Sequence, residues 1–193
     1  MDEKSGKLVI FSAPSGAGKT TIVHHLLSQD LNLVFSISAC SRKIRKNEVN
    51  GRDYHFLGLE KFREKINTRD FLEWEEVYPG QFYGTLKSEV DAMLKKGGNV
   101  IFDVDVIGGL SIKKQYKDRA LAIFVMAPSI DHLRKRLEYR STESISSIDK
   151  RIAKASKELK YANQFDAIVL NDNMDNAFLE ATTLVRKFLT LNS

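Results

Sequence analysis

The chain has 193 residues, 42% of them hydrophobic and 28% charged, which is enough for one soluble globular domain with a full core. Its single cysteine excludes an intrachain disulfide, no apolar run is long enough to span a membrane, and the polar start at Met1 to Gly6 lacks a secretory h-region. These features lead to the expectation of a reducing, cytoplasmic setting, and the net charge of +5 admits anionic partners.

The first element predicted is a strand over Leu8–Phe11, whose unbroken apolar run suits a parallel strand buried on both faces. Ala13, Pro14, Ser15, Gly16, Ala17, Gly18, Lys19 and Thr20 then match GxxxxGK[ST], except that Ala13 stands at the first glycine position. In such a P-loop the backbone N–H groups cradle phosphates at the start of a helix, the lysine reaches the terminal phosphates, and the hydroxyl meets Mg²⁺. Gly16 and Gly18 allow the close backbone approach. The spacing of Ile22, Val23, Leu26 and Leu27 predicts a helix from Lys19 to about Ser28, and Leu33–Ser38 reads as a second strand, completing a βαβ opening.

Ser38 to Phe56 reads as a polar, basic loop in which Cys40 has no expected chemical role. Arg42 and Arg45 within it are either solvated charges or a two-pronged phosphate grip, and spacing alone leaves both open. A short helix over Phe62–Arg69 is followed by a hairpin, Phe71–Tyr78 and Gln81–Thr85, turning at Pro79 and Gly80. Leu86, Val90, Met93 and Leu94 mark a helix closed by Gly97 and Gly98. Asn99–Asp105 is an apolar strand ending in carboxylates, with Asp103 and Asp105 expected on the same side and near a nucleotide's Mg²⁺.

Arg119–Met126 is a further buried strand. Ser129 can cap a helix with Ile130, Leu133 and Leu137 inward and Arg136 and Arg140 sharing another face. Ile145 to Ala162 predicts a second amphipathic helix carrying Arg151, Ala167–Leu170 a last strand leading to Asn171, and Ala177–Phe188 a closing helix. The four histidines show no metal-ligand spacing. The positive charge is concentrated: residues 129–160 hold nine Lys/Arg against five Asp/Glu, and residues 36–56 hold five against two. Two basic segments beside a P-loop read as clamps on a polyphosphate, and an extended nucleic-acid face is the competing reading.

The chain resembles the guanylate kinase family along essentially its whole length. The residues that carry the resemblance are the P-loop, Ser38 with Ser41–Arg45, Glu48–Phe56, Phe71–Trp74, Tyr83–Thr85, Asp103–Asp105, Arg136–Arg140, Arg151 and Asn171–Asp172. It implies an α/β fold: a P-loop NTPase parallel-sheet core flanked by helices, with an inserted nucleotide-monophosphate-binding lobe and a helical lid. Within one domain, 1–193, the core would comprise 1–37, 91–128 and 161–193, the GMP-binding lobe 38–90 and the lid 129–160. The implied reaction moves the γ-phosphoryl group of ATP to GMP with Mg²⁺, in purine nucleotide metabolism, with no nucleic-acid or membrane partner; homo-oligomerisation is left open.

Carried over by motif, Ala13 through Gly18, Lys19, Thr20 and Thr21 with Asn171 would bind ATP, with Asn171 at the adenine. Thr20 and Asp103 would hold the metal. Ser38, Arg42, Arg45, Tyr54, Glu73, Tyr83, Thr85 and Asp105 would bind GMP, and Lys19, Arg42, Arg45, Arg136, Arg140 and Arg151 would act on the transferring group. Guanine offers N1–H and a 2-amino group that one carboxylate can accept together, which suits Glu73, while Ser38 and Thr85 can donate to O6. The sequence departs from the family at Ile44, Ile107, Tyr139 and Ser141, where Pro, Gln and two glycines are usual. A non-catalytic binding module and a kinase for another small phosphate are the rival functions, the first disfavoured by Lys19 and Thr20, the second by Glu73, Ser38 and Thr85 together.

Overall fold

A computed structural model describes residues 6–139 and 145–191. Its core is a five-stranded sheet built from β1 (Leu8–Ser12), β2 (Leu33–Phe35), β7 (Asn99–Asp103), β8 (Ala120–Met126) and β9 (Ala167–Leu170). The strand order is β2-β7-β1-β8-β9, and every pairing is parallel. All five residues of β1 are buried because helices cover both faces of the sheet. Val9 and Phe11 point to one face, where α1 (Lys19–Leu27) and α7 (Met174–Thr190) pack through Ile22, Val23, Leu26, Ala177, Ala181 and Val185. Leu8 and Ile10 point to the other, meeting α3 (Lys87–Lys95) through Val90 and Leu94 and α4 (Val106–Tyr116) through Ile112. Each such fully buried aliphatic or aromatic side chain stabilises the fold by about 1.5–3 kcal/mol relative to exposure.

A second sheet is inserted between β2 and β7, with strand order β4-β3-β6-β5. It consists of β3 (Ala39–Cys40), β4 (His55–Phe56), β5 (Phe71–Tyr78) and β6 (Gln81–Leu86), with α2 (Leu59–Asn67) against it. Its core is small: Ala39, Phe62 and Phe71 are fully or nearly buried, and the rings of Phe62 and Phe71 stack at 4.4 Å. The helices α5 (Ile130–Tyr139) and α6 (Ile145–Glu158) follow β8, and Leu133, Leu137 and Ile148 bury against the core.

Three expectations need correction. The strand read over Leu33–Ser38 stops at Phe35 and lies at the sheet edge beside β7, because the chain then crosses to the second sheet. The stretch read as a loop after Ser38 contains two short strands, and Cys40 is a fully buried strand residue. The strand read as running to Asp105 ends at Asp103, and Asp105 instead caps α4, a helix that two adjacent glycines, Gly108 and Gly109, hid from the apolar pattern.

Candidate functional site

In an open parallel sheet, ligands gather at the carboxyl ends of the strands. Here β1 ends in the P-loop, and the pairing of Phe11 with Asp103 brings the end of β7 beside it. The loop turns through Gly16 and Gly18, with φ of 90° and 95°. Gly18 is required twice over: its φ is left-handed, and a Cβ there would lie 2.2 Å from Asn171 Nδ2. Asn171 is buried under the loop, and its Nδ2 donates to the Ala17 carbonyl at 2.7 Å. Arg136 donates to the carbonyls of Asn171 (2.9 Å) and Ala17 (3.4 Å). These bonds fix the orientation of the Ala17 carbonyl.

Asp103 organises the other wall. Its carboxylate sits 2.6 Å from Lys19 Nζ and accepts from Thr20 Oγ1 at 2.7 Å, while Lys19 also donates to the Val104 carbonyl. Asp105 accepts from the Gly108 amide at 2.9 Å through its side chain and from Ser12 Oγ at 2.9 Å through its carbonyl. Thr20 and Asp103 thus offer adjacent hard oxygen donors, which suits Mg²⁺, an ion that keeps waters and substrate phosphates as its other ligands. Among the described residues no cluster of three or more His, Cys, Asp or Glu forms a metal cage.

The second sheet supplies a different kind of wall. Cross-strand pairing sets Glu73 on β5 opposite Thr85 on β6, and Thr85 Oγ1 donates to Glu73 Oε1 at 2.6 Å. Burial pushes the Glu73 carboxyl up to about 7; the Thr85 bond pulls it down, and the Asp105 charge pushes it up again. Helix α4 presses close: a Cβ on Gly108 would lie 2.4 Å from Glu73 Oε2. Gly108 therefore makes room for the carboxylate, a role sequence reading missed although a glycine pair inside a helix is its trace.

Arg42 is held by a bidentate pair with Glu48, at 2.6 and 2.7 Å, and its Nε donates to Tyr83 Oη at 3.0 Å. Its guanidinium also lies 5.0 Å from the Tyr54 ring and 5.3 Å from the Phe56 ring. The Arg42 hydrogen bonds hold Glu48 down at about 2 and keep Arg42 itself above its ordinary value. Burial, with the Asp103 charge second, pushes the Tyr54 hydroxyl up to about 12. Residue type alone assigns Glu48 no role; the pairing that gives it one is visible only in three dimensions.

These walls enclose one cavity of about 780 Å³. It is bordered by Ala13 through Thr21, by Ser38, Arg42, Arg45, Tyr54, Glu73 and Tyr83, and by Asp103, Asp105 and Arg151. Arg151 reaches across from α6 and donates to Ser15 Oγ at 2.8 Å. Thr85, Arg136 and Asn171 stand behind this surface, and Arg140, like Ser141, lies outside the described residues. Tyr78, Lys154 and Glu158 also border the cavity, and sequence reading did not single them out. Burial raises the Glu158 carboxyl, and the Lys154 charge opposes this.

Comparison with known proteins agrees with this geometry. The family model described as Guanylate kinase matches residues 5–188. The guanylate kinase of Bacteroides thetaiotaomicron is 52% identical over 187 residues, covering 97% of this chain and 92% of that one. That of Porphyromonas gingivalis is 52% identical over 184 residues, covering 95% and 98%. A crystal structure of guanylate kinase from Anaplasma phagocytophilum shares the fold with a TM-score of 0.80 at 24% identity, covering 98% of this chain and 89% of that one. With the family model matching residues 5–188 and relatives at this level of identity, the chain belongs to the guanylate kinase family.

Proposed function

We propose that the protein transfers the γ-phosphoryl group of ATP to GMP, giving ADP and GDP, with Mg²⁺ and as part of cytoplasmic purine nucleotide metabolism. The observation that carries this reading is one cavity with a P-loop on one wall and Glu73, backed by Thr85, on the other. A phosphate-binding loop alone supports only a nucleotide. A buried carboxylate able to accept two parallel N–H groups adds a preference for guanine, since adenine would aim a lone pair at it.

In this reading the inserted unit, 38–90, is the GMP lobe, 129–160 is the lid, and the remainder is the core. The GMP phosphate would lie against Arg42, Arg45, Tyr54 and Tyr83, and the base against Glu73, Thr85, Ser38 and Asp105. The adenine contact proposed for Asn171 draws support from its Oδ1, a buried acceptor with no hydrogen-bond partner among the described residues. Bound at Thr20 and Asp103, Mg²⁺ would offset phosphate charge. The protein forms no bond to the substrates. A GMP phosphate oxygen attacks the terminal phosphorus of ATP as the bond to ADP breaks, and Lys19, Arg42 and Arg151 hold the two anions in line. The lid's Arg136 and Arg140 belong to the same proposal. The cations facing the cavity also favour a small polyphosphate over an extended nucleic acid.

A coupled ADP-release assay over GMP, dGMP, AMP, UMP, CMP and a ribose bisphosphate, with and without Mg²⁺, tests the reading. Release with GMP well above AMP and the pyrimidine nucleotides, lost on chelation, is the expected result. No stimulation by any of them would favour a non-catalytic binding module.

A further inference from the structure

Tyr78 is the last residue of β5, at the tip of the hairpin that also carries Glu73, and its half-buried ring faces α6. Two cations from that helix lie over it: Arg151 Cζ at 5.9 Å and Lys154 Nζ at 5.4 Å from the ring centre. The same Arg151 donates to Ser15 of the P-loop at 2.8 Å. One guanidinium therefore joins the lid helix, the phosphate loop and the inserted hairpin.

We propose that Tyr78 is a positioning residue, an aromatic platform that holds Arg151 at the P-loop when the hairpin is ordered. Arg151 and Lys154 are three apart on one helix and so occupy the same face, where like charges repel. An aromatic ring offers both of them its negative face, and Glu158, 3.3 Å from Lys154, offsets the second charge. Burial, with the Asp105 charge second, raises the carboxyl of Glu75 on the same strand as Tyr78, and the Lys154 charge opposes this, which brings a further carboxylate of β5 near this cation. The strand that presents the guanine-binding carboxylate thus also presents the ring, so ordering the hairpin around GMP fixes the arginine that meets ATP. This role rests on the proposed function, because it assumes that Arg151 acts on the transferring group.

The alternative is that the ring only covers the alkyl stems of the two side chains. Three variants separate the two roles. Tyr78→Phe keeps the π face and is expected to retain kcat within about twofold. Tyr78→Leu keeps the apolar cover without the quadrupole, and Tyr78→Ala removes both. Each of these two is expected to lower kcat by roughly five- to twentyfold, with KM for GMP and for ATP little changed. Thermal melts of all three show whether the fold survives; if Tyr78→Ala does not fold, the comparison of Leu with Phe decides. Wild-type kcat in Tyr78→Leu, or a loss in Tyr78→Phe equal to that in Tyr78→Leu, overturns the platform while leaving the kinase reading intact. A wild-type protein that releases no ADP with GMP overturns both.

Discussion

At the scale of single residues, Glu73 has two pH dependences of opposite sign. Its carboxyl is raised by burial to about 7 from an ordinary 4.5, so the folded state holds the proton more tightly than the unfolded chain. Its contribution to stability is full below about 4.5 and is lost as pH rises through about 7. Guanine recognition needs the ionised form, so kcat/KM for GMP should fall about tenfold per pH unit below 7. Glu73→Gln should flatten the stability slope between these two values and cost GMP far more than ATP. Melting curves and initial rates over pH 5–8 check both, and equal losses for the two nucleotides would remove Glu73 from the guanine site. Asp103 was legible from its place at the end of an apolar strand beside a P-loop, whereas Glu73 and Thr85 were named only through the family resemblance. Gly108 was not legible, because what defines it is the approach of Glu73 from a distant segment, and Glu48 was not, because an irregular turn with no period folds it back onto Arg42.

At the scale of elements, the inserted unit is the part of the fold with the least to hold it. Its buried hydrophobic cluster is Ala39, Phe62 and Phe71, against clusters several times larger on each face of the main sheet. Regions with few buried apolar contacts open locally before the whole protein unfolds. Phe62→Ala should remove about 3–5 kcal/mol from this unit. Trp74 is the chain's one tryptophan and lies on β5, so its fluorescence reads the inserted unit while far-UV circular dichroism reads mostly the core. In the variant the fluorescence transition in urea is expected to precede the dichroism transition; coincident curves would mean that the two sheets unfold together. Legibility followed the same division. The buried strands announced themselves by unbroken apolar runs and the amphipathic helices by period. The two-residue strands β3 and β4 carry too few residues for any period, and Gly108 and Gly109 interrupt that of α4.

At the scale of the whole molecule, the two basic segments found by counting charges converge on the same cavity. Arg42 and Arg45 come from one, and Lys150, Arg151 and Lys154 from the other. Their convergence could be anticipated from the count; their alignment could not, since it depends on how the second sheet and α6 face each other. Arg136 shows the limit most clearly. It shares the charge and the helix expected of a phosphate ligand, yet in this structure it braces the carbonyls of Ala17 and Asn171 behind the loop.

The pairs Lys19–Asp103 and Arg42–Glu48 mean that the resting site already contains its own counterions. Nucleotide binding is then an ion exchange, in which an incoming phosphate competes with an internal carboxylate for the cation. In the proposed function a nucleotide has base contacts to tip that exchange, whereas a bare inorganic anion has none, so the expected effect is a screen against free phosphate. Glu48→Gln removes one counterion. Inorganic phosphate is expected to inhibit this variant at concentrations on the order of tenfold lower than it does the parent. Unchanged inhibition would show that Glu48 shapes the loop without guarding the arginine.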